Sequence, residues 1–337
     1  MFPDFIGIGA QKAGTTWLHR NLQAHPQIFM PRKEIHYFDK KINDRSNART
    51  RFFGTRKIDD QWRRQVKHWT LMHLIKKPSL RDLHWDFKYY MLPYNDKWYA
   101  SVFEPKKGKV AGEITPAYSV LDRDRVDHVH SIVPDAKIIF FMRNPIERVW
   151  SQTVMSFDKA EKRSAESVSE EELFQRTERD SMRKLSNYLR TFENWGACYP
   201  EEQIFVGFLE DIHFFPGQLL KSLYEFLDVD PTFDPPLTDK KVHSRSAGSM
   251  STSIAVHLAR AYYEEIARLS ERFGGYASFW LYCANHLIND PPEEENMTYP
   301  MFESSFWEEW AVGSGNPTGL GSQQVQSGPL APIQVAM

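Results

Sequence analysis

The sequence predicts an α/β fold in which a parallel β-sheet is covered by helices on both faces. Three short apolar runs, at 5–8, 138–142 and 203–208, have the length and composition of buried strands. Each run is followed by a loop and then by a segment with helical spacing, and strands that alternate with helices are typical of parallel sheets. With 337 residues, of which 41% are hydrophobic, the chain can bury a large core without disulfides or metals.

The spacing of the apolar residues predicts a helix after each of these strands. In the first helix Trp17, Leu18 and Leu22 fall on one face, and Pro26 marks the end of the helix. The expected helices cover 15–23, 146–157 and 217–227. Each begins soon after a predicted strand, as the crossover connections of a parallel sheet require.

The chain divides into one predicted domain, 1–285, and a C-terminal extension, 286–337. Within the domain, 43–109 has mostly helical spacing and many Trp, His, Arg and Tyr residues, which indicates a helical insertion over the sheet. The segment 161–183 is heavily charged, which favours a solvated helix over a mobile flap. From about residue 313 the extension consists largely of Gly, Ser, Gln and Pro, so we expect it to be disordered.

Composition and charge exclude several classes of protein. Lys plus Arg total 42 and Asp plus Glu total 44, so the net charge of −2 argues against binding of nucleic acid over the whole surface. Cys198 and Cys283 are the only cysteines and neither belongs to a CxxC pair, which excludes a disulfide framework and a zinc cluster. No apolar run has the length of a membrane span, and the first residues lack the features of a secretory signal. We therefore expect a cytoplasmic protein that binds neither a membrane nor nucleic acid.

Residues 9–16, GAQKAGTT, have the two glycines of a phosphate-binding loop (P-loop) at the required spacing. A predicted strand precedes the loop and a predicted helix follows it, so backbone N–H groups and the helix dipole would converge on an anion. In nucleotide triphosphatases a Lys follows the second glycine, but here that position is Thr15 and the lysine is Lys12. No predicted strand ends in the Asp that would hold Mg²⁺, and the strand 138–142 is followed by Arg143. The sequence therefore predicts a P-loop-type fold whose nucleotide site works without a metal ion.

Two segments resemble the nucleotide-binding loops of the sulfotransferases that use phosphoadenosine phosphosulfate (PAPS). The segment GAQKAGTTWL is similar to their 5′-phosphosulfate loop, and RNPIERVWS is similar to their 3′-phosphate loop. In that family the Arg after the strand and the Ser eight residues later hold the 3′-phosphate, which implies this role for Arg143 and Ser151. Arg suits the role because its planar guanidinium can donate two hydrogen bonds to one phosphate. Contacts from the first loop to the nucleotide are implied for Lys12, Ala13, Gly14, Thr15, Thr16 and Trp17.

The segment KEIHYFD resembles the KExHxFD segment of the heparan-sulfate and bacterial branch of this family. The resemblance implies that Glu34 is the general base and that the neighbouring His36 orients it or contacts the acceptor. A carboxylate in a partly dry cleft can have a raised pKa, which suits a base that takes a proton from an alcohol. If the segment is extended, the two side chains point to the same side. Lys12 is assigned to the bridging oxygen of the leaving phosphate, where negative charge develops.

Two further segments carry weaker signals. GEITPAY is similar to a GExTPxY segment in which enzymes that act on heparan sulfate commonly carry Lys in place of Ile114, and this departure argues against a polysaccharide acceptor. Within GEITPAY, Glu113 and Tyr118 are expected to be structural. The segment KKVHSR lies where a loop would cover the nucleotide, which indicates Lys241 and Arg245 as ligands, although a basic surface loop is an equally good interpretation.

The resemblance implies transfer of a sulfonate from PAPS to a hydroxyl group of an acceptor, with phosphoadenosine phosphate as the product and no metal. The acceptor could be a small molecule, a lipid-like or polyketide-like compound, or a carbohydrate. Two alternatives stay open: a P-loop kinase or nucleotide hydrolase, and a nucleotide-binding protein without catalytic activity. The aromatic residues of 43–109 fit either an apolar cleft or ordinary core. The sequence does not fix the oligomeric state.

Overall fold

The structure, a computed structural model, confirms the α/β fold. It describes residues 1–40, 48–76, 80–104, 107–236, 249–313 and 328–329. The strands are β1 (Phe5–Gly9), β2 (Ile28–Phe29), β3 (Val110–Ile114), β4 (Lys137–Met142), β5 (Ile204–Phe208), β6 (Ser249–Ser251), β7 (Asn296–Thr298) and β8 (Gly328–Pro329). The α-helices are α1 (Thr15–Ala24), α2 (Ala48–Phe53), α3 (Lys57–Lys76), α4 (Leu80–Met91), α5 (Asp96–Val102), α6 (Arg123–Ile132), α7 (Pro145–Ser156), α8 (Glu170–Thr177), α9 (Asp180–Ser186), α10 (Tyr188–Gly196), α11 (Leu209–Phe214), α12 (Pro216–Phe226), α13 (Thr252–Phe273), α14 (Gly275–Asn289) and α15 (Ser305–Gly313).

The central sheet has the strand order β2-β3-β1-β4-β5-β8. The first five strands are parallel, as predicted, whereas β8 pairs antiparallel with β5, so the sheet is mixed at that edge. The apolar runs correctly predicted β1, β4 and β5, but the strand β3 was not predicted. Two of its five residues are Gly112 and Glu113, so it lacks the continuous apolar run of a buried strand.

The core is built on the central strands. All five residues of Ile138–Met142 in β4 have no exposed surface, because β1 and β5 cover its edges and helices cover the sheet. Such complete burial explains why this strand reads as an unbroken apolar run and not as an alternating one. The strand and the loops at its end are therefore held in a rigid, close-packed environment.

The helical insertion between β2 and β3 consists of α2 to α5. Part of its aromatic set is core: Trp98 and Tyr99 are buried, and the ring of Tyr99 stacks on that of Tyr37 with 4.7 Å between the ring centroids. Trp62, Tyr89 and Tyr94 also belong to the buried core, and they line a cavity beside the candidate site. The core interpretation therefore holds for these residues, and the use of the cavity as a binding cleft stays a prediction.

The charged segment 161–183 contains helix α8 and the start of α9 in place of the single helix that we expected. Its charges pair with one another: Arg176 Nη2 lies 2.6 Å from a Glu161 carboxylate oxygen, and Arg163 Nη1 lies 3.0 Å from Glu172 Oε1. The Arg163–Glu172 pair is partly exposed and contributes little to stability, whereas Arg176 is buried.

Residues beyond the predicted boundary at 285 pack on the rest of the protein. The boundary falls inside α14, and β7 then pairs antiparallel with β6. Phe306 of α15 is buried. Most of the tail that was predicted to be disordered, 314–327 and 330–337, lies outside the described residues. The prediction is wrong for Gly328–Pro329, which form β8 at the edge of the central sheet.

Candidate active site

Three of the predicted site segments meet at the carboxyl edge of the sheet. Strand β1 leads into the loop 9–16, and its neighbour β4 leads to Arg143 and then to α7. On the other side of β1, the backbone N–H of Glu34 donates a hydrogen bond to the carbonyl oxygen of Ile114 at the end of β3, at 3.0 Å. Parallel strands end at one edge, and ligands of open α/β sheets bind outside that edge.

Gly14 shapes the first loop. Its φ of 82° is in the left-handed region, and a Cβ atom there would lie 2.3 Å from Ile212 Cδ1, so only glycine fits. It is the N-cap of α1, and because it has no side chain it does not occupy the first N–H groups of the helix. The N–H groups of Thr15, Thr16 and Trp17 open the helix and have no acceptor within it. The loop can therefore present backbone donors to an anion.

Two of the implied nucleotide contacts in this loop are restricted to the backbone. Ala13 has no exposed surface, and the Trp17 side chain is only 3% exposed because it belongs to the core. Thr15 is also buried, at 6% exposed. Thr16 is half-buried, and its hydroxyl accepts a hydrogen bond from Lys33 Nζ at 2.8 Å.

Lys12 connects the two predicted phosphate loops. Its carbonyl oxygen accepts a hydrogen bond from Arg143 Nη1 at 3.3 Å. Its side chain extends towards α7, where Nζ lies 3.8 Å from Met155 Sδ, one turn after Ser151. Its φ of 73° is uncommon for a residue other than glycine. The loop backbone and the start of the second loop are thus held together.

Arg143 is nearly enclosed, at 7% exposed. Its Nε donates to Glu147 Oε2 at 3.1 Å, and its Nη2 donates to the Tyr299 hydroxyl at 2.5 Å. Asn144 caps α7 by accepting a hydrogen bond from the N–H of Ile146 at 3.1 Å. The structure thus brings Arg143 to the helix N-terminus as predicted, but it also supplies the guanidinium with partners from within the protein.

Glu34 lies beside two cationic side chains. Its carboxylate is 3.2 Å from Lys33 Nζ and 3.6 Å from His36 Nε2, and the side chain is 45% exposed. The ion-pair contact with His36 is the main reason that the pKa of Glu34 falls to about 2, against the opposing effect of burial. The prediction of a raised pKa is therefore wrong for the protein without ligands: Glu34 is ionised, as a base must be, but weakly basic.

His36 is held between two carboxylates. Burial alone would lower its pKa, but the hydrogen bond with Asp39, at 2.7 Å from Nδ1, and the ion pair with Glu34 raise it to about 9. Glu34 and His36 do not meet through an extended segment, because their φ angles are 64° and 56°. Left-handed residues turn the chain at each position, and this turn brings the two side chains together.

Lys33 is a site residue to which the sequence analysis assigned no role. Its ammonium group lies between Thr16 of the first loop and the Glu34 carboxylate. The feature of the sequence that could have indicated Lys33 as a site residue is its position immediately before Glu34, the predicted base. The side chain connects the phosphate loop to the base and places a cation where the two approach each other.

A buried polar network supports this segment. Glu113 is fully buried and accepts hydrogen bonds from Tyr99 at 2.6 Å, Thr115 at 2.7 Å and Tyr118, and its burial raises its pKa to about 7. The Tyr118 hydroxyl in turn accepts a hydrogen bond from the backbone N–H of Tyr37 at 2.9 Å. These contacts support the structural roles expected for Glu113 and Tyr118, since they fix the chain just after the predicted base.

Several other predictions stay untested. The predicted ligands Lys241 and Arg245 lie outside the described residues. Within the described ranges, no group of three or more His, Cys, Asp or Glu side chains is arranged to hold a metal ion, and independence of metals stays a prediction. In the same part of the chain, no helix has the length and apolar character needed to cross a membrane. The cytoplasmic location also stays a prediction.

Comparison with known proteins identifies the family. A model described as "Sulfotransferase family" matches residues 3–235. The chain is 28% identical over 155 residues to "Membrane-associated sulfotransferase kil1" of Dictyostelium discoideum, covering 44% of this chain and 22% of that protein. It is 23% identical over 294 residues to "Carbohydrate sulfotransferase 15" of Mus musculus, covering 74% of this chain and 49% of that protein. The chain thus spans less than half the length of these two curated relatives.

One solved protein structure has a similar fold. A crystal structure of a sulfotransferase from Alicyclobacillus acidocaldarius superimposes with a TM-score of 0.53 at 22% identity, covering 80% of this chain and 95% of that one. At this identity the likeness concerns the fold alone. The family match covers both predicted phosphate loops and the Glu34 segment. The chain belongs to the sulfotransferase family.

Proposed function

We propose that this protein transfers a sulfonate group from PAPS to a hydroxyl group of a small-molecule acceptor. One observation carries the proposal: the two loops that resemble nucleotide-binding loops are joined through Arg143 and the Lys12 carbonyl, and Lys33 connects the first loop to Glu34. Donor-binding groups and a carboxylate therefore lie at one edge of the sheet, where a donor and an acceptor could meet.

The donor set fits a nucleotide with phosphates at both ends of its ribose. The backbone N–H groups that follow Gly14 at the start of α1 suit the 5′-phosphosulfate. Arg143 and Ser151 would hold the 3′-phosphate, and Lys241 and Arg245 stay proposed ligands. When bound, PAPS supplies the sulfonate, whose bond to the bridging oxygen breaks as its bond to the acceptor oxygen forms. Lys12 would stabilise the charge on that bridging oxygen.

Glu34 would accept the proton of the acceptor hydroxyl. Lys33 and His36 keep the carboxylate ionised in the protein without ligands. An anionic donor beside Thr16 would attract Lys33, which lies 2.8 Å from that hydroxyl. A carboxylate that loses one of its cations becomes more basic, so donor binding would prepare Glu34 for proton transfer.

A cavity beside Glu34 suits the acceptor. It has a volume of about 390 Å³, and Glu34 and His36 line one part of it. The helical insertion supplies the other walls, including Trp62, Tyr94 and Arg51, whose guanidinium lies 3.6 Å from the centroid of the Tyr94 ring. Eight of the twelve side chains that line it are charged or polar, and three are aromatic. A cavity of this size suits a small molecule, and we therefore propose a small alcohol that carries further polar groups as the acceptor.

The substitution Glu34→Gln tests the role of the base. General-base catalysis contributes about 10²- to 10⁴-fold, so we expect turnover with PAPS and a panel of small alcohols to fall by about a hundredfold or more. Binding of phosphoadenosine phosphate, measured by calorimetry, should stay within about twofold, since Glu34 is not a nucleotide ligand.

The matched control is Glu309→Gln. It removes a half-exposed carboxylate that lies far from Glu34 in the sequence and accepts a hydrogen bond from Tyr282. This variant should keep its turnover. Nearly full turnover of Glu34→Gln would contradict the assignment of the base.

A further inference from the structure

Tyr299 contacts Arg143, which was predicted to hold the 3′-phosphate. Its hydroxyl oxygen accepts a hydrogen bond from Arg143 Nη2 at 2.5 Å. The Arg143 guanidinium also lies 5.1 Å from the centroid of the Tyr299 ring. Ser151 is near enough to lower the pKa of this tyrosine, which burial raises. The phenol oxygen therefore lies on the guanidinium that was predicted to bind the phosphate.

The chain on both sides of Tyr299 is fastened to the protein. Before it, β7 pairs with β6. After it, the backbone N–H of Met301 donates to the buried carboxylate of Glu147, and Asn144 Nδ2 lies 3.7 Å from Met301 Sδ. We call residues 296–301 the tyrosine segment. It is docked on the first turn of α7, which is the turn that would face the 3′-phosphate.

This docking closes the subsite. Arg143 is 7% exposed, so a phosphate group cannot reach its Nη2 while the phenol lies there. The phenol is a neutral acceptor, whereas a phosphate would be a dianionic one that forms shorter and stronger bonds with a guanidinium. The two would compete for the same donors, and the phosphate would form the stronger contact.

We propose that the Tyr299 hydroxyl occupies the position of the 3′-phosphate, and that this group binds only when the tyrosine segment moves away. Tyr299 would then set the affinity for nucleotides that carry a 3′-phosphate and leave other nucleotides unaffected. The proposal rests on the proposed function, because it takes Arg143 and Ser151 as ligands of the 3′-phosphate. The apparent affinity is the intrinsic affinity reduced by the fraction of molecules in which the subsite is open.

The substitution Tyr299→Phe tests this inference. It keeps the ring but removes the hydrogen bond with Arg143, which weakens the closed state. We expect phosphoadenosine phosphate to bind about five- to tenfold more tightly in calorimetry, which corresponds to the loss of one typical hydrogen bond. Binding of AMP, which has no 3′-phosphate, should be unchanged. The matched control is Tyr282→Phe, which removes a hydroxyl bonded to Glu309 at 3.0 Å and should alter neither affinity.

The outcomes separate the inference from the function on which it rests. If Tyr299→Phe binds the bisphosphate more weakly than the unaltered protein, Tyr299 is a ligand of the 3′-phosphate and the inference is overturned. An unchanged affinity also overturns it, and in both cases the proposed function survives. If neither protein binds the bisphosphate, the proposed function fails and the inference fails with it.

Hydrogen exchange gives an independent test that needs no variant. Addition of phosphoadenosine phosphate to the unaltered protein should speed exchange of the amides of the tyrosine segment, with that of Met301 as the most direct reporter, and AMP should not. Slower exchange at Met301 in the presence of the bisphosphate would overturn the proposal.

Discussion

The two proposed phosphate loops of this protein differ in the donors that they would offer to a phosphate. The loop after β1 would offer backbone N–H groups at the start of α1, where the N-cap is Gly14. The loop after β4 would offer the Arg143 guanidinium, which Glu147 and Tyr299 already engage. Backbone donors can face solvent at little cost, whereas a buried cation needs partners whenever its ligand is absent.

The comparison leads to an expectation about binding. The first loop should accept a phosphate without rearrangement, because its donors are fixed by the helix. The second loop should accept a phosphate only after Arg143 has released the Tyr299 hydroxyl. The contributions of the two loops should therefore separate when nucleotides with and without a 3′-phosphate are compared.

Arg143→Ala should have the largest effect. It leaves Glu147, which is 1% exposed, without its cation, and removal of one partner from a buried ion pair typically costs about 3–5 kcal/mol of unfolding free energy. Any preference for phosphoadenosine phosphate over AMP should also disappear. Denaturant unfolding and calorimetric titration measure the two effects.

The chain offers a matched control for Arg143→Ala. Arg123 and Asp127 have the same four-residue spacing at 2.8 Å, but both side chains are about half exposed. Arg123→Ala should therefore change the unfolding free energy by at most about 1 kcal/mol. Equal stabilities of the two variants would contradict the buried role of Arg143.

Gly14→Ala should have an intermediate effect and should act on the other loop. The residue has a φ of 82°, and the new Cβ would clash with Ile212 at 2.3 Å. We expect a loss of about 1–2 kcal/mol in unfolding free energy. AMP and phosphoadenosine phosphate should both bind more weakly, since both carry a 5′-phosphate.

Gly217→Ala is the control for this change, because a Cβ at Gly217 meets no atom within 4 Å. It should leave binding unchanged and should raise the unfolding free energy by at most about 1 kcal/mol, because Gly217 lies in helix α12. If Gly14→Ala weakened the binding of phosphoadenosine phosphate but not that of AMP, the assignment of the first loop to the 5′-phosphate would be wrong.

The smallest expected effect is the pH dependence of the Glu34–His36 pair. The pKa of His36 is raised from 6.5 to about 9, so its contribution to stability is complete below pH 6.5 and is lost as the pH rises to about 9. The pKa of Glu34 is lowered from 4.5 to about 2, so its contribution is complete above pH 4.5 and is lost as the pH falls to about 2. The pair therefore stabilises the fold most between pH 4.5 and 6.5.

His36→Gln tests this dependence. The difference in unfolding free energy between the unaltered protein and His36→Gln should shrink between pH 6.5 and 9. The change should be modest, because the His36 side chain is 36% exposed and solvent screens its charge. A difference that stays constant over this range would contradict the raised pKa.

Local patterns predicted where both loops lie in the fold. A strand, two glycines and a helix are contiguous in sequence, so GAQKAGTT predicted the place of the first loop between β1 and α1, and its phosphate chemistry stays a prediction. The position of Arg143 after a strand was predicted for the same reason. Its partner Tyr299 lies 156 residues away, and only the packing of the C-terminal region on α7 brings the two together. No pattern in a single sequence reports such a contact.

The base segment shows a second limit of sequence analysis. The residues of KEIHYFD were identified by resemblance, but the pKa direction of Glu34 was predicted wrongly. Burial, which raises the pKa of a carboxylate, could be guessed from the sequence. The left-handed backbone conformations of Glu34 and His36, which bring His36 Nε2 within 3.6 Å of the Glu34 carboxylate, could not be guessed. Residues other than glycine rarely adopt this conformation.

The most direct test of the account is calorimetric titration of the unaltered protein with phosphoadenosine phosphate, and separately with ATP and Mg²⁺, each with and without EDTA. The two-loop assignment predicts that the bisphosphate binds equally well in both conditions and that ATP binds weakly or not at all. Magnesium-dependent binding of ATP without binding of the bisphosphate would contradict it.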